Sequence, residues 1–395
     1  MLYQLKIKRD TAADFQTANT VLADGEFSLE TDTGKMKVGN GSTAYNSLQF
    51  VTEDAAVDLT FDGYGGSTAG FYAHGFTQDN SGSYAFPLEI RKMPFSSDSA
   101  TSDHGDVIPT IYGGGAWSSA THGITFGRAT SPYSRINSFP FASSNVSETW
   151  TNASIPITAG NNVGSKGATA AATQSPTVGY SIGGQAHPSP APITAAVALE
   201  VAKYTFASAS TSAVKLSQSG LGAVLEGTGV PSGEAGYGYI TGGQVPAVPN
   251  SSGSNIIQKH SFSNDAVFSD VGDLARVSRS HVAFASGDNG YIAGGSPSNS
   301  TPGLSNTNYY QKWPFASDSN ASNLSALSSD VTLAAGMAGQ DAGYTHGGAG
   351  NAGIPNATPT NYSKLTVKLV YSNDSHSTVQ TDPTYSEIYA SGYQV

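Results

Sequence analysis

The chain contains no cysteine, so disulfides and thiolate metal sites are excluded and cohesion has to come from strand pairing and packing. Only 12% of its 395 residues are charged. Few segments therefore carry the charged face that an amphipathic helix needs, and helix is expected to be a minor component. No apolar run reaches 18 residues, and the segment Met1 to Lys6 lacks a signal-peptide core and cleavage pattern. The expectation is a product made in the cytoplasm, without signal peptide or membrane insertion. Basic residues are scarce as well: 18 Lys and Arg stand against 29 Asp and Glu, for a net charge of −11, and the longest basic run is Lys6-Ile7-Lys8-Arg9. Neutralising phosphate needs clustered Lys and Arg, so neither nucleic acid nor an anionic lipid surface is an expected partner.

What is plentiful is glycine, 46 residues, accompanied by 19 prolines and long Ser/Thr/Asn/Ala runs. Six times a glycine-bounded strand is followed by a loop and an aromatic-centred strand. The first element reads Tyr72-Ala73-His74-Gly75, Ile124-Thr125-Phe126-Gly127, and then Tyr180, Tyr239, Tyr291 and Tyr344, each between a preceding glycine and a following glycine pair. Positions 72, 124, 180, 239, 291 and 344 lie 52 to 59 residues apart. The second element centres on Phe95, Phe141, Phe206, Phe262, Phe315 and Tyr371, usually with a lysine three positions before and a Ser/Asn/Asp cluster after. A period near 50 with internal glycine pairs is the signature of propeller blades. The fold class expected is all-β, a six-bladed β-propeller with a small β-rich N-terminal module.

The module is marked off by charge. Of the 47 charged residues, 11 fall in the first 50, and a first blade strand is expected at Val57-Asp58-Leu59-Thr60-Phe61. A shift of that size places a boundary near residue 52, giving a module over 1–52 and a propeller over 54–395. Gln4 to Lys8 alternates as a strand, Thr11 can cap a short helical turn through Phe15, and the runs Glu26 to Glu30 and Lys35 to Val38 form a hairpin across Thr31-Asp32-Thr33-Gly34. The ordered set Arg9, Thr11-Ala12, Phe15, Asn19, Val21-Leu22, Gly25-Glu26, Glu30, Asp32-Thr33-Gly34, Lys35, Lys37-Val38-Gly39, Gly41, Thr43 and Leu48 resembles the N-terminal module of phage tail-fibre and tropism-determinant proteins. Asn40 stands where that family usually has aspartate, Thr20 where proline is common, and Phe15 and Tyr45 where tryptophan often stands. The resemblance implies a β-rich piece that trimerises and joins a fibre to a virion.

Within each repeat four strands are expected. In the fifth they are His281 to Ala285, a return through Tyr291 to Ala293, Tyr309 to Phe315, and a last strand near Leu324 to Leu327. The glycine pairs suit positions of positive φ or close backbone approach. The strand ends, and Arg279 before the inner strand of the fifth blade, resemble kelch-type propellers. Trp117, Trp150 and Trp313 do not recur at one blade position as kelch tryptophans do, and the first two repeats lack the glycine pair. The run Thr384 to Tyr389 can complete the sixth blade or pair with the first.

Loops between second and third strands share one face of such a disc, and they are long and proline-rich: 185–192, 244–252, 296–302 and 350–359. A rigid ring carrying variable loops suits recognition. Enzymatic templates fit poorly. Ser286-Gly287-Asp288-Asn289-Gly290 has half of a sialidase box but no tryptophan, a Tyr-Cys copper site cannot form, and no carboxylate pair is placed by sequence. The reading is a non-enzymatic phage virion protein, a tail-fibre or receptor-binding component that displays its propeller for host-surface adhesion. Alternatives are a capsid decoration or tail and baseplate fitting, and third a glycan-degrading enzyme. Expected partners are other virion proteins through residues 1–52, a host-surface glycan or protein, and two further copies in a homotrimer. Candidate contacts are Tyr309, Tyr310 and Trp313; no catalytic residue or cofactor is assigned. His74 and His346, at matching positions of the first and sixth repeats, form a secondary candidate pair for a metal or for pH response.

Overall fold

A computed structural model describes residues 7–48, 50–51, 66–73, 77–78, 84–85, 89–98, 101–106, 112–128, 134–144, 148–149, 171–183, 200–206, 214–222, 227–231, 236–243, 253–265, 267–296, 308–327, 331–348, 365–381 and 391–394. Its contacts divide the chain into two compact units, Met1–Asp62 and Gly63–Val395.

In the first unit, strand β1 (Lys8–Asp10) runs parallel to β2 (Phe27–Glu30), which continues antiparallel through β3 (Met36–Val38) to β4 (Phe50–Val51). Helix α1 (Ala12–Ala18) starts at Thr11, whose Oγ1 accepts from the N–H of Asp14 at 3.2 Å, and it ends at Asn19 in the left-handed region. The β2–β3 connection turns at Gly34, φ 72°, as its place near the end of the hairpin requires. Phe15, Leu22, Tyr45 and Leu48 form the core.

Among the described residues the second unit contains six four-stranded antiparallel sheets and one two-stranded hairpin, Thr77–Gln78 with Tyr84–Ala85. The innermost strands of the six sheets are Ser391–Gln394, Tyr112–Ser118, Ala171–Gln174, Thr228–Pro231, Val282–Ala285 and Ala335–Ala338. Each packs against the next, and the last packs against the first, so the sheets close into a ring. The protein is a six-bladed β-propeller.

The fifth blade has the expected strand order, at Val282–Ala285, Asn289–Ala293, Tyr309–Pro314 and Ser322–Ala326. Ring closure uses the C-terminal residues that follow the run considered in the sequence. Blade 6 completes itself with Ala335–Ala338, Ala342–His346, Leu365–Val370 and Ser375–Thr381, and the C-terminal Ser391–Gln394 pairs with Ala69–Ala73 as the inner strand of blade 1. The expected first strand, Val57 to Phe61, and the run Thr384 to Tyr389 lie outside the described residues.

Two glycine roles shape the ring. At Gly229 and Gly392 a Cβ would run into the backbone of the preceding inner strand, at Ala172 and Gly336. Only a hydrogen lets those strands approach. The pairs Gly242-Gly243 and Gly294-Gly295 both have positive φ, and their second N–H groups donate to Ser278 O (2.9 Å) and Val331 O (2.7 Å) on the segments leading to the next blade. Both properties anticipated for the pairs are therefore present at once.

Candidate functional site

The two halves of the sequence repeat meet across blade interfaces. In the second strand of blades 3 to 6, Tyr180, Tyr239, Tyr291 and Tyr344 stand opposite Lys203, Lys259, Lys312 and Lys368 of the third strand. Each tyrosine ring stacks on the aromatic anchor of the following blade: Phe262 at 5.5 Å, Phe315 at 4.9 Å, Tyr371 at 5.2 Å and Phe95 at 5.0 Å between centroids. Three residues beyond each anchor is an aspartate in the left-handed region: Asp265, Asp318, Asp374 and Asp98. These carboxylates accept from both the tyrosine hydroxyl and the lysine Nζ, for example Tyr239 at 2.9 Å and Lys259 at 2.8 Å on Asp318, and Tyr344 at 2.8 Å and Lys368 at 2.6 Å on Asp98. Lysine, anchor and Ser/Asn/Asp cluster are thus one inter-blade latch, repeated four times. Burial pushes the carboxyl of Asp265 up, but the bonds from Lys203 and Tyr180 outweigh that and hold it below the usual range.

At the remaining two interfaces the latch position is apolar. From blade 1 to blade 2, Phe71 stacks on Phe141 at 4.9 Å, and Ser144 takes the aspartate position without positive φ. From blade 2 to blade 3, Ile124 and Ser138 replace Tyr and Lys, and Ile124 packs in a cluster with Trp117, Phe126, Tyr204 and Phe206. In blade 1 the register corrects the repeat alignment: Phe71 opposite Lys92, not Tyr72, occupies the latch position. A one-residue shift turns a side chain to the other face of the sheet. Tyr72 accordingly faces blade 6, where its ring lies 3.8 Å from that of His346.

Of the three candidate contacts, two are corrected. Tyr310 and Trp313 are fully buried, Tyr310 among Phe284, Leu327 and Val367, and Trp313 among Tyr239, Phe315 and Leu274. The third strand of a blade is covered on both faces by its neighbours, so alternation along it does not signal exposure. Burial pushes the Tyr310 hydroxyl up to about 12. Tyr309 is half-exposed, with the Arg276 guanidinium 3.8 Å from its ring centroid. His346 is buried, its Nδ1 2.8 Å from Thr366 Oγ1, while His74 lies outside the described residues. Among the described residues no three His, Asp or Glu side chains gather as a metal site would require.

The inner strands enclose a cavity of about 80 Å³ lined by Ala116, Ala172, Gly229, Ala283, Gly336 and Gly392, one from each blade, with Ser118, Gln174 and Gln394 among its polar groups. The Gln174 amide bridges blades by accepting from Ser118 N at 2.6 Å and donating to Ser118 O at 2.8 Å. Among the described residues the lining has no ionisable side chain.

In the N-terminal unit, Glu30 is buried and accepts from Tyr45 Oη at 3.1 Å and from the Thr33 hydroxyl. Lys37 is buried beneath the rings of Tyr45 and Phe50, 4.4 and 4.3 Å from their centroids, and donates to Tyr45 O at 2.8 Å. Burial holds its ammonium below the usual lysine range, against the attraction of Glu30. Glu30, Thr33 and Lys37 belong to the tail-fibre pattern noted in the sequence, and the family comparison agrees. Residues 5–43 match the major tropism determinant N-terminal domain. In this tropism-determinant module the departures from the usual pattern are accommodated. Asn40 Oδ1 accepts from the N–H groups of Ser42 (3.1 Å) and Thr43 (2.8 Å), as an aspartate could. Phe15 and Tyr45 stack at 4.6 Å where tryptophan often stands, and Thr20 keeps a carbonyl bond to Tyr45 N.

Over the chain as a whole, the fold is similar to the solved structure of YjhT, with a TM-score of 0.57, 9% identity, and coverage of 79% of this chain and 98% of that one. At that identity the likeness concerns the fold alone. No curated protein matches the chain. Sequence reasoning found the latch residues as a pattern but not the pairing that unites them. Arg276, beside Tyr309, carried no signal, since it lies outside both repeat elements.

Proposed function

We propose that this chain is a non-enzymatic component of a phage virion, fixed to the particle through its tropism-determinant module as a homotrimer and displaying the propeller for adhesion to a host surface. The observation that carries this reading is the module itself: residues 5–43 match the N-terminal domain of the major tropism determinant, joined here to a separate propeller unit. The propeller suits the task physically. Latches and aromatic stacks tie each blade to the next, which gives a rigid disc whose 2–3 connections are free to vary. On this reading the face of the proline-rich connections is the surface offered for host recognition.

Labelled full-length protein added to cells of candidate bacterial hosts is expected to adsorb saturably, and antibody labelling of intact particles is expected to place residues 1–52 at a fibre junction. Absence of saturable adsorption, with propellers lying against shell proteins, would favour a decoration or baseplate role instead. Loss of surface polysaccharide during incubation would replace adhesion by glycan degradation.

A further inference from the structure

The propeller carries thirteen Lys and Arg against twenty-three Asp and Glu in residues 51–395, and five of its described cations are neutralised by carboxylates. Lys203, Lys259, Lys312 and Lys368 serve the latches, and Arg91 pairs with Glu89 at 3.1 Å. Arg276 is different. It is exposed on Phe268–Ser278, the outer strand of blade 4, and only its backbone N–H is bonded, to Gln311 Oε1 at 3.0 Å. Its guanidinium lies 3.8 Å from the ring centroid of Tyr309, which opens the third strand of blade 5. Among the described residues neither the guanidinium nor the Tyr309 hydroxyl has a hydrogen-bond or ion-pair partner. Gln311, fully buried behind them, fixes the Arg276 backbone, and its Nε2 has no acceptor among the described residues.

Stacking on an aromatic ring orients a guanidinium, and the planar fork then presents two parallel donors that match a carboxylate. Position agrees with recognition. Tyr309 is entered from the 2–3 connection of blade 5, and Arg276 lies two residues before Ser278, on the segment passing to the next inner strand. Both therefore sit at the face from which the proline-rich connections emerge. The net negative charge of the disc repels a densely charged polymer, and that selects ligands whose charges are isolated.

We infer that Arg276 and Tyr309 form a seat on the loop face, between blades 4 and 5, for the carboxylate of a sparsely charged acidic saccharide such as a uronate-bearing surface polysaccharide. The inference rests on the adhesion reading and names its ligand class. The guanidinium fork takes the carboxylate, and the tyrosine hydroxyl takes a neighbouring sugar hydroxyl.

The test is calorimetric titration of the full-length protein with hyaluronate and polygalacturonate oligosaccharides, with dextran as uncharged control and polyphosphate as a densely charged control. Saturable, salt-sensitive binding to a uronate probe, and none to dextran, is expected. Arg276→Gln should weaken it about tenfold to a hundredfold, the loss of a charge-assisted bond, and Tyr309→Phe by a smaller factor. Arg276→Lys should fall between, because it keeps the charge and loses the fork. Circular dichroism and melting of each variant should match the parent. Equal binding by folded Arg276→Gln, preference for polyphosphate, or no uronate binding by a protein that still adsorbs to cells would overturn the seat while leaving adhesion intact. Failure of the parent protein to adsorb to any cells would instead count against adhesion itself.

Discussion

At Asp318 one carboxylate accepts from Tyr239 and Lys259 of the preceding blade while its own backbone sits at φ 46°. Aspartate and asparagine tolerate that conformation better than most residues, so the position asks for a side chain that both turns the chain and accepts two bonds. Where the donors are missing, so is the acceptor: Ile124 and Ser138 in blade 2 are followed by Ala209 at the aspartate position of blade 3. Asp318→Ala is therefore expected to destabilise the propeller by about 1–2 kcal/mol, a figure held down because Lys259 and Asp318 side chains are 17% and 32% exposed. Asp318→Asn should cost roughly half as much, since it keeps the turn and one acceptor. Urea unfolding measures both. If the alanine variant lost no more than about 0.3 kcal/mol, within the ordinary scatter for surface substitutions, the latch would be a contact without energetic weight.

The closing strand, Ser391–Gln394, shows what a four-residue element can control. It pairs with Ala69–Ala73, buries Tyr393 against Phe139 at 5.0 Å, and puts Gly392 where a Cβ would meet the Gly336 carbonyl. Gly392→Val is expected to cost more than about 2 kcal/mol, because a core strand cannot retreat without opening its interface. Deleting residues 391–395 should abolish the single cooperative melting transition, since the inner edge of Ala69–Ala73 is then left unpaired. A truncated chain that melted cooperatively at the parent temperature would show that the ring does not depend on this strand. Elements like this mark the limit of what was legible in the sequence. The blade repeat, the Lys-to-anchor spacing and the Thr11 cap could be read because each joins neighbours in the chain or recurs six times. The C-terminal closure could not, because Ser391 to Gln394 repeats the inner-strand pattern only as a small residue beside a large one, and pairing over three hundred residues leaves no local mark. The one-residue register difference in blade 1 and the burial of Tyr310 and Trp313 were hidden for a related reason: a blade is covered on both faces, so alternation no longer reports which side meets solvent.

At the scale of the whole propeller, two buried histidines, His260 and His281, serve as neutral hydrogen-bonding groups at blade interfaces, which ties stability to acidity. His260 Nδ1 donates to Asp265 O at 3.0 Å and its Nε2 lies 2.8 Å from Thr173 Oγ1 of the preceding blade, within a wall of Tyr180, Phe262 and Phe268. His281, leading into blade 5, has Nε2 2.8 Å from Thr241 Oγ1 of blade 4. Burial pushes His260 down to about 4, against the pull of Asp265, and His281 down to about 3. Unfolded, both would titrate near 6.5, so between that pH and the folded values the unfolded chain binds protons that the folded one refuses. Their contribution is complete above roughly pH 6.5 and declines on acidification, by about 1.4 kcal/mol per pH unit for each histidine. Asp265, held below the usual carboxylate range by its latch, adds stability that persists until the pH falls further, through its own lowered value. Urea midpoints measured from neutral pH down to about 4.5 should fall steadily, at a slope set by the histidines within the interval defined by ordinary and folded values. His281→Gln, which keeps a polar group facing Thr241 but cannot charge, should flatten that slope by about half. Midpoints that stayed level across this interval would mean that the buried imidazoles are protonated in the folded ring after all, and the interfaces would have to be held by something other than neutral hydrogen bonds.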